Sequence, residues 1–161
     1  MKSLRLSQAT IAGIIFTSII GTLLHFAYEW SGQNSIISFI APVNESVFEH
    51  LKLLFTPVFV FTLLEGYLTE KAPANMYLAR FFGVLAGLIF IPAVFYTYTA
   101  ITGTSYPVID ISLFYISVLI TFFISDRLEK KKLFSDYDSL GVGMFIVMLL
   151  LFAFFTGKFI K

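Results

Sequence analysis

Five long apolar stretches constrain the fold of this chain more strongly than any other feature of its sequence. Each contains roughly 20 mostly apolar residues, the length that an α-helix needs to cross a bilayer. They lack the alternation typical of strands, and only helices and closed barrels satisfy every backbone hydrogen bond in lipid. The sequence therefore predicts an all-α integral membrane protein with five transmembrane helices, at residues 8–28, 45–67, 76–101, 108–125 and 140–158.

The composition agrees with a membrane location. Hydrophobic residues make up 58% of the 161 residues and charged residues 13%, whereas a soluble domain carries about 25% charged residues. The absence of cysteine excludes disulfides and thiolate metal sites. A net charge of +1 gives no broad field for binding nucleic acid. We expect a multi-pass protein of the cell membrane whose main partner is the lipid bilayer.

The chain is predicted to form a single transmembrane helical domain over residues 1–161, because no linker or repeat interrupts it. The first apolar stretch is too long for the core of a signal peptide, so we expect a retained helix. Cytoplasmic loops are enriched in lysine and arginine. The N-terminus is therefore predicted to be cytoplasmic and the C-terminus outside. The cations that support this orientation are Lys2, Arg5, Lys71, Arg80, Arg127, Lys130, Lys131 and Lys132.

A polar segment before the second apolar stretch departs from this composition. The sequence NESVFEHLK, residues 44–52, contains two carboxylates, an imidazole, an amide, a hydroxyl and an ammonium. A smaller group lies upstream, where His25 and Glu29 are one turn apart on one face of the first helix. The connection lets the two groups meet at the same depth. We therefore predict one site, built from both groups, at the outer leaflet.

Histidines and carboxylates in this arrangement predict a metal site. Imidazole and carboxylate are ligands of zinc and similar divalent ions, and the predicted ligands are His25, Glu29, Glu49 and His50. With Lys52 they are also the predicted catalytic residues. A metal lowers the pKa of its bound water, so the first hypothesis is a metal-dependent hydrolase acting on a lipid-like substrate. Against one shared ion, Glu49 and His50 point about 100° apart on a helix.

Other polar residues near the same helix ends are predicted to bind a lipid-like or small polar ligand. Some have a structural alternative, because Asn44 is a good N-cap and Ser46-x-x-Glu49 is typical of a capping box. Asp110 either caps the fourth helix or completes the site. Tyr96 either belongs to an aromatic belt or donates a hydrogen bond to the site. The predicted ligand-binding residues are Asn44, Glu45, Ser46, Asp110 and Tyr96.

Three other functions stay open for this site. A histidine and a glutamate facing each other across a dry pocket would shuttle a proton without a metal. A vestibule of carboxylates, histidine and lysine would serve a proton or small-solute transporter, provided that polar groups continue to the opposite face. In a structural role, Lys52 and Glu49 would form a buried ion pair that locks helix ends together.

The third predicted helix carries a small residue at every fourth position, Ala79, Gly83 and Gly87. Such a face lets a second helix approach closely. That helix either belongs to the same chain or to a second copy in a homodimer.

The two polar groups together resemble a family signature. The residues H-F-x-Y-x-W-S-G, from His25 to Gly32, and V-N-E-S-x-x-E-H-x-K, from Val43 to Lys52, are similar to those of an uncharacterised family of small prokaryotic multi-pass membrane proteins. The resemblance implies a prokaryotic cell membrane and links the two groups as one unit. It implies no substrate, cofactor or catalytic role.

Overall fold

The computed structural model of the chain describes residues 6–69, 72–133 and 135–159. The regular secondary structure in these ranges is helical, and five spans are long and apolar enough to cross a membrane. The predicted all-α class and the number of spans are therefore confirmed. The helices are α1 (Gln8–Trp30), α2 (Val47–His50), α3 (Lys52–Leu68), α4 (Met76–Thr102), α5 (Pro107–Lys130) and α6 (Asp138–Phe159), with α2 and α3 together forming the second span.

The two ends of the bundle differ in the helix termini that they carry. At the end that we call the N-terminal face, α1 begins, α3 ends, α4 begins, α5 ends and α6 begins. We call the opposite end the histidine face, because His25 in the last turns of α1 and His50 in α2 lie near it. The loop between α1 and α2 crosses this face and contains a short 3-10 helix, Ile37–Phe39.

Helix α4 packs closely against α5 through its small residues. A Cβ atom at Gly83 would overlap Ser125 Oγ and the Thr121 carbonyl oxygen, and one at Gly87 would lie 2.5 Å from Thr121 Oγ1. Ala79, on the same face, is fully buried. The structure thus uses this face for a contact within the chain. A homodimer through the same three residues would require that contact to open.

Aromatic side chains fill the space between α3, α4 and α6. The buried Phe145 of α6 lies between Phe59 and Phe81, with 5.5 Å between its ring centroid and each of theirs. Phe152, two turns further along α6, packs against Phe55, with 5.0 Å between the ring centroids. Such ring pairs bury large apolar areas and add edge and stacking energy. Helix α6 is therefore anchored to the bundle by its phenylalanines.

Helix α1 packs against α3 where a proline interrupts the hydrogen bonding of α3. Pro57 has no amide hydrogen, so the carbonyl of Leu53 loses its helical partner. Gly21 of α1 lies against that carbonyl, and a Cβ atom there would be 2.6 Å from the Leu53 oxygen. The glycine therefore allows α1 to approach α3 closely just below the histidine face.

Candidate functional site

The loop before α2 is fixed by hydrogen bonds that begin the helix. Asn44 Oδ1 accepts a hydrogen bond from the Ser46 amide at 2.9 Å, and the Ser46 hydroxyl accepts one from the Glu49 amide at 3.3 Å. Ser46 is thus the N-cap, and α2 begins directly after it. The predicted start at residue 45 is wrong by two residues. As a consequence, Glu45 lies in the loop and not on the helix.

Three side chains converge at the histidine face. One ligand atom each from His25, Glu45 and His50 lies within 4.8 Å of the others. The two imidazole centroids are 5.2 Å apart, and His50 Nε2 is 3.3 Å from Glu45 Oε2. Both histidines are partly buried and Glu45 is exposed, so the group is accessible from one side. We call these three residues the histidine-face triad.

A backbone carbonyl orients the His50 ring. His50 Nδ1 lies 2.9 Å from the carbonyl oxygen of Ser46, which can only accept a hydrogen bond. Nδ1 therefore carries a proton, and in the neutral ring Nε2 keeps its lone pair. Nε2 is also the nitrogen that faces Glu45. This is the arrangement by which outer hydrogen bonds prepare a histidine to bind a metal ion.

Glu49, which was also predicted to be a metal ligand, faces the bundle interior. Its side chain is fully buried and accepts hydrogen bonds from Lys52 Nζ at 2.5 Å, the Val43 amide at 3.0 Å and the Thr156 hydroxyl at 2.9 Å. Thr156 belongs to α6, whereas His50 faces His25 of α1. The adjacent residues Glu49 and His50 therefore point to different helices, as their separation of about 100° on a helix requires.

Lys52 forms the buried ion pair that its spacing predicted. Its ammonium lies 2.5 Å from Glu49 Oε2, and both side chains are 0% exposed. It also donates to the carbonyl oxygens of Ser38 and Ala41, at 2.8 and 3.2 Å. An ammonium has three N–H donors, and all three have acceptors within the protein. The pair fastens the loop between α1 and α2 to the bundle.

Three other predicted site residues are not part of the triad: Glu29, Asp110 and Tyr96. Glu29 is exposed, one turn beyond His25 on α1. Asp110 accepts a hydrogen bond from the Tyr98 hydroxyl, which itself accepts one from the Tyr106 amide at 3.2 Å. Asp110 thus joins the start of α5 to α4. Tyr96 is 61% exposed and lines an apolar groove between α4 and α6.

Comparison with protein families adds one finding to this geometry. A family model described as a family of unknown function matches residues 2–160. The chain belongs to the DUF6512 family. Membership agrees with the uncharacterised family that the two polar groups indicated. No significant match to the DUF6512 chain is found among curated proteins or among solved structures.

A second charged cluster of this DUF6512 protein lies near the N-terminal face. Arg80 is fully buried, and its Nη2 is 2.7 Å from Glu65 Oε2 and 3.3 Å from Glu129 Oε1. Its guanidinium also lies over the Phe122 ring, 4.7 Å from the centroid. The sequence counted Arg80 among the cations of the cytoplasmic loops. Arg80 instead lies in the first turns of α4, which begins at Met76 as predicted, and its side chain is buried in the bundle.

Hydroxyl groups, exposed at Thr22 and Tyr115 and buried at Thr17 and Thr121, lie between the two charged regions of this DUF6512 bundle. Thr22 of α1 is 3.1 Å from the Tyr115 hydroxyl of α5, one turn below His25. Within the described residues, the buried hydroxyls of Thr17 and Thr121 have no hydrogen-bond partner, and neither do Nε and Nη1 of Arg80. Polar groups of α1, α5 and α4 therefore continue through the bundle beyond the histidine-face triad.

Proposed function

We propose that the protein is a membrane-embedded, metal-dependent hydrolase that acts on a lipid-like substrate at the histidine-face triad. The convergence of His25, Glu45 and His50, with ligand atoms within 4.8 Å of one another, carries this proposal. Two imidazoles and one carboxylate are a typical ligand set of catalytic zinc, which keeps its fourth position for water. The exposed side of the triad leaves room for that position.

The surroundings of the triad favour a substrate that approaches from the bilayer. The Phe26 ring contacts the His25 ring edge-on at 4.9 Å and stacks on Trp30 at 5.5 Å. Phe26 is 44% and Trp30 70% exposed. Aromatic side chains at helix ends lie preferentially at the membrane–water interface. A lipid-like molecule in that interface would meet the triad from its open side.

A divalent ion held by His25, Glu45 and His50 would supply a water of lowered pKa as the nucleophile. A divalent ion lowers the pKa of its bound water, and Glu29, exposed one turn beyond His25 on α1, would accept the proton. The hydroxide would add to the electrophilic atom of the scissile bond. Glu29 would then return the proton to the leaving oxygen, which completes hydrolysis. Glu49 and Lys52 were expected to be catalytic, but because both are fully buried, in this proposal they position the loop and do not touch the substrate.

The orientation of the site in the membrane is part of the proposal. Among the described residues, the exposed cations Arg127, Lys130, Lys131 and Lys132 lie at the N-terminal face, and Lys158 lies at the histidine face. Cytoplasmic ends of membrane proteins carry the excess of lysine and arginine. The triad would therefore face the outside of a cell membrane.

An activity assay with metal removal tests the hydrolase. In mixed micelles with a short-chain fluorogenic ester, we expect a chelator to abolish hydrolysis and added zinc to restore it. Glu29→Gln should lower the rate by roughly 10²–10⁴-fold, as expected for loss of a general base, and His50→Ala should abolish it. Asp136→Asn, at an exposed carboxylate of the N-terminal face, is the control. Hydrolysis that withstands chelation would contradict the proposal.

A proton or small-ion transporter is the second candidate function. The unpartnered hydroxyls of Thr17 and Thr121 and the unpartnered nitrogens of Arg80 favour it, because a path across the membrane needs polar groups to continue below the outer site. Helices α1 and α5 supply them at the depth where α3 is apolar.

Replacement of Thr17 by valine separates the two candidates. In proteoliposomes with an internal pH dye, a transporter should lose proton flux in Thr17→Val. If the hydroxyl has no role in transport, its removal should raise stability, because a buried group without a partner costs about 1–3 kcal/mol. Thr62→Val is the matched control, since that hydroxyl donates to the Val58 carbonyl oxygen at 2.7 Å. Wild-type liposomes without flux would eliminate the transporter.

A further inference from the structure

An open apolar groove lies on the side of α2 opposite the histidine-face triad. It has a volume of about 580 Å³. Helix α4 forms one wall, from Leu85 to Tyr96, and α6 forms the other, from Met148 to Phe155. Phe48 of α2 contributes to the end near the histidine face. The lining is apolar, so in a membrane the groove is a place for hydrocarbon rather than for water.

The length of the groove matches one leaflet of a bilayer. Leu85 and Tyr96 are 11 residues apart, and a rise of 1.5 Å per residue makes the groove about 16 Å long. Half of a hydrocarbon core of about 30 Å is about 15 Å. A transmembrane helix of about 10 Å diameter would span both leaflets and extend well beyond the groove. A single acyl chain of the leaflet at the histidine face fits the length.

A cation lies at the histidine-face end of the groove. Lys158 Nζ is 4.8 Å from the Phe154 ring centroid and 5.6 Å from that of Phe155, and Phe155 lines the groove. The side chain is exposed, and no carboxylate of the described residues forms an ion pair with it. An unpaired ammonium beside an apolar groove complements a lipid with a negative head group.

We propose that this groove binds one acyl chain of an anionic bilayer lipid, whose head group contacts Lys158. The lipid site is separate from the triad, because Phe48 and Leu51 line the groove while His50, between them in sequence, faces α1. It is also independent of the hydrolase, since none of the proposed metal ligands takes part. The binding of lipid and the chemistry at the triad can therefore succeed or fail separately.

Quenching of a tryptophan by brominated lipids tests the proposal. Trp30 is the single native tryptophan, so Trp30→Phe gives a silent background. Tyr96→Trp places a reporter in the groove, and Tyr115→Trp on α5, also partly exposed, is the control outside it. At Tyr96→Trp, we expect brominated phosphatidylglycerol to bind about fivefold more tightly than brominated phosphatidylcholine, the effect of one lysine near an anionic head group. The control reporter should show no preference.

The lysine variant decides whether Lys158 supplies the selectivity. In Lys158→Gln the fivefold preference at the groove reporter should fall to unity, whereas Lys131→Gln, at the N-terminal face, should leave it unchanged. If Tyr96→Trp does not fold, Ile89→Trp serves as a second groove reporter, since Ile89 is 60% exposed and lines the groove. Equal quenching by the two lipids in the groove, or a preference that survives Lys158→Gln, would overturn the proposal.

Discussion

Replacement of Glu49 by leucine is expected to lower the free energy of unfolding by about 3–5 kcal/mol. The change leaves the Lys52 ammonium buried without its carboxylate, although Ser38 and Ala41 still offer carbonyl oxygens. It also removes the acceptor for Thr156, so α6 loses a hydrogen bond to α2. Denaturant titration of the protein in detergent micelles measures the loss.

A double variant shows whether the loss comes from the unpaired charge. Glu49→Leu with Lys52→Met removes both ions, and apolar replacement of a whole buried pair costs far less than removal of one partner. The double variant should therefore be more stable than Glu49→Leu. Glu45→Leu is the matched control, because that carboxylate is 87% exposed and exposed ion pairs contribute about 0–1 kcal/mol. A double variant no more stable than Glu49→Leu would contradict the account.

Replacement of Arg80 by leucine is expected to lower the free energy of unfolding by about the same amount as Glu49→Leu. Arg80→Leu leaves Glu65 and Glu129 buried near each other with no cation between them, and breaking a buried ion pair from one side costs about 3–5 kcal/mol. Thermal unfolding in micelles should show a large drop in melting temperature. The matched change Arg127→Leu, at an exposed arginine of the same face, should alter the free energy of unfolding by no more than about 0.5 kcal/mol.

Additional substitutions would identify the buried carboxylates as the cause. In Arg80→Leu, further exchange of Glu65 and Glu129 for glutamine should recover part of the lost stability, because it removes the uncompensated charges. If the triple variant is no more stable than Arg80→Leu, packing of the guanidinium over Phe122, and not charge pairing, would account for its contribution.

The five spans could be predicted because their signal is local. A run of apolar residues of membrane-spanning length needs no knowledge of its neighbours. The end of α5 was missed for the opposite reason. The prediction ended the helix at residue 125, since charged residues follow, yet α5 continues to Lys130. Asp126 accepts a hydrogen bond from Thr10 of α1, and Glu129 lies beside Arg80 of α4. Partners from other helices make these charges compatible with burial.

The sequence indicated where the candidate site lies, but not the full set of residues that form it. The two histidines were expected together, and the structure brings them together. Glu45 was assigned to the start of the second helix, because the sequence offers both Asn44 and Ser46 as caps and does not say which one begins the helix. The hydrogen bond of Ser46 decides this point. The sequence did not single out Thr156 near the end of α6, although its hydroxyl donates a hydrogen bond to Glu49.

The zinc content of the purified protein tests the central claim most directly. After incubation with equimolar zinc and removal of the excess, we expect one zinc ion per chain in the wild type and in Asp136→Asn, a change at the N-terminal face. His25→Ala and His50→Ala should lose the ion, and Glu45→Gln should bind it more weakly, since each removes one of the three ligands of the triad. A wild-type protein without zinc, or histidine variants that retain it, would contradict the metal site.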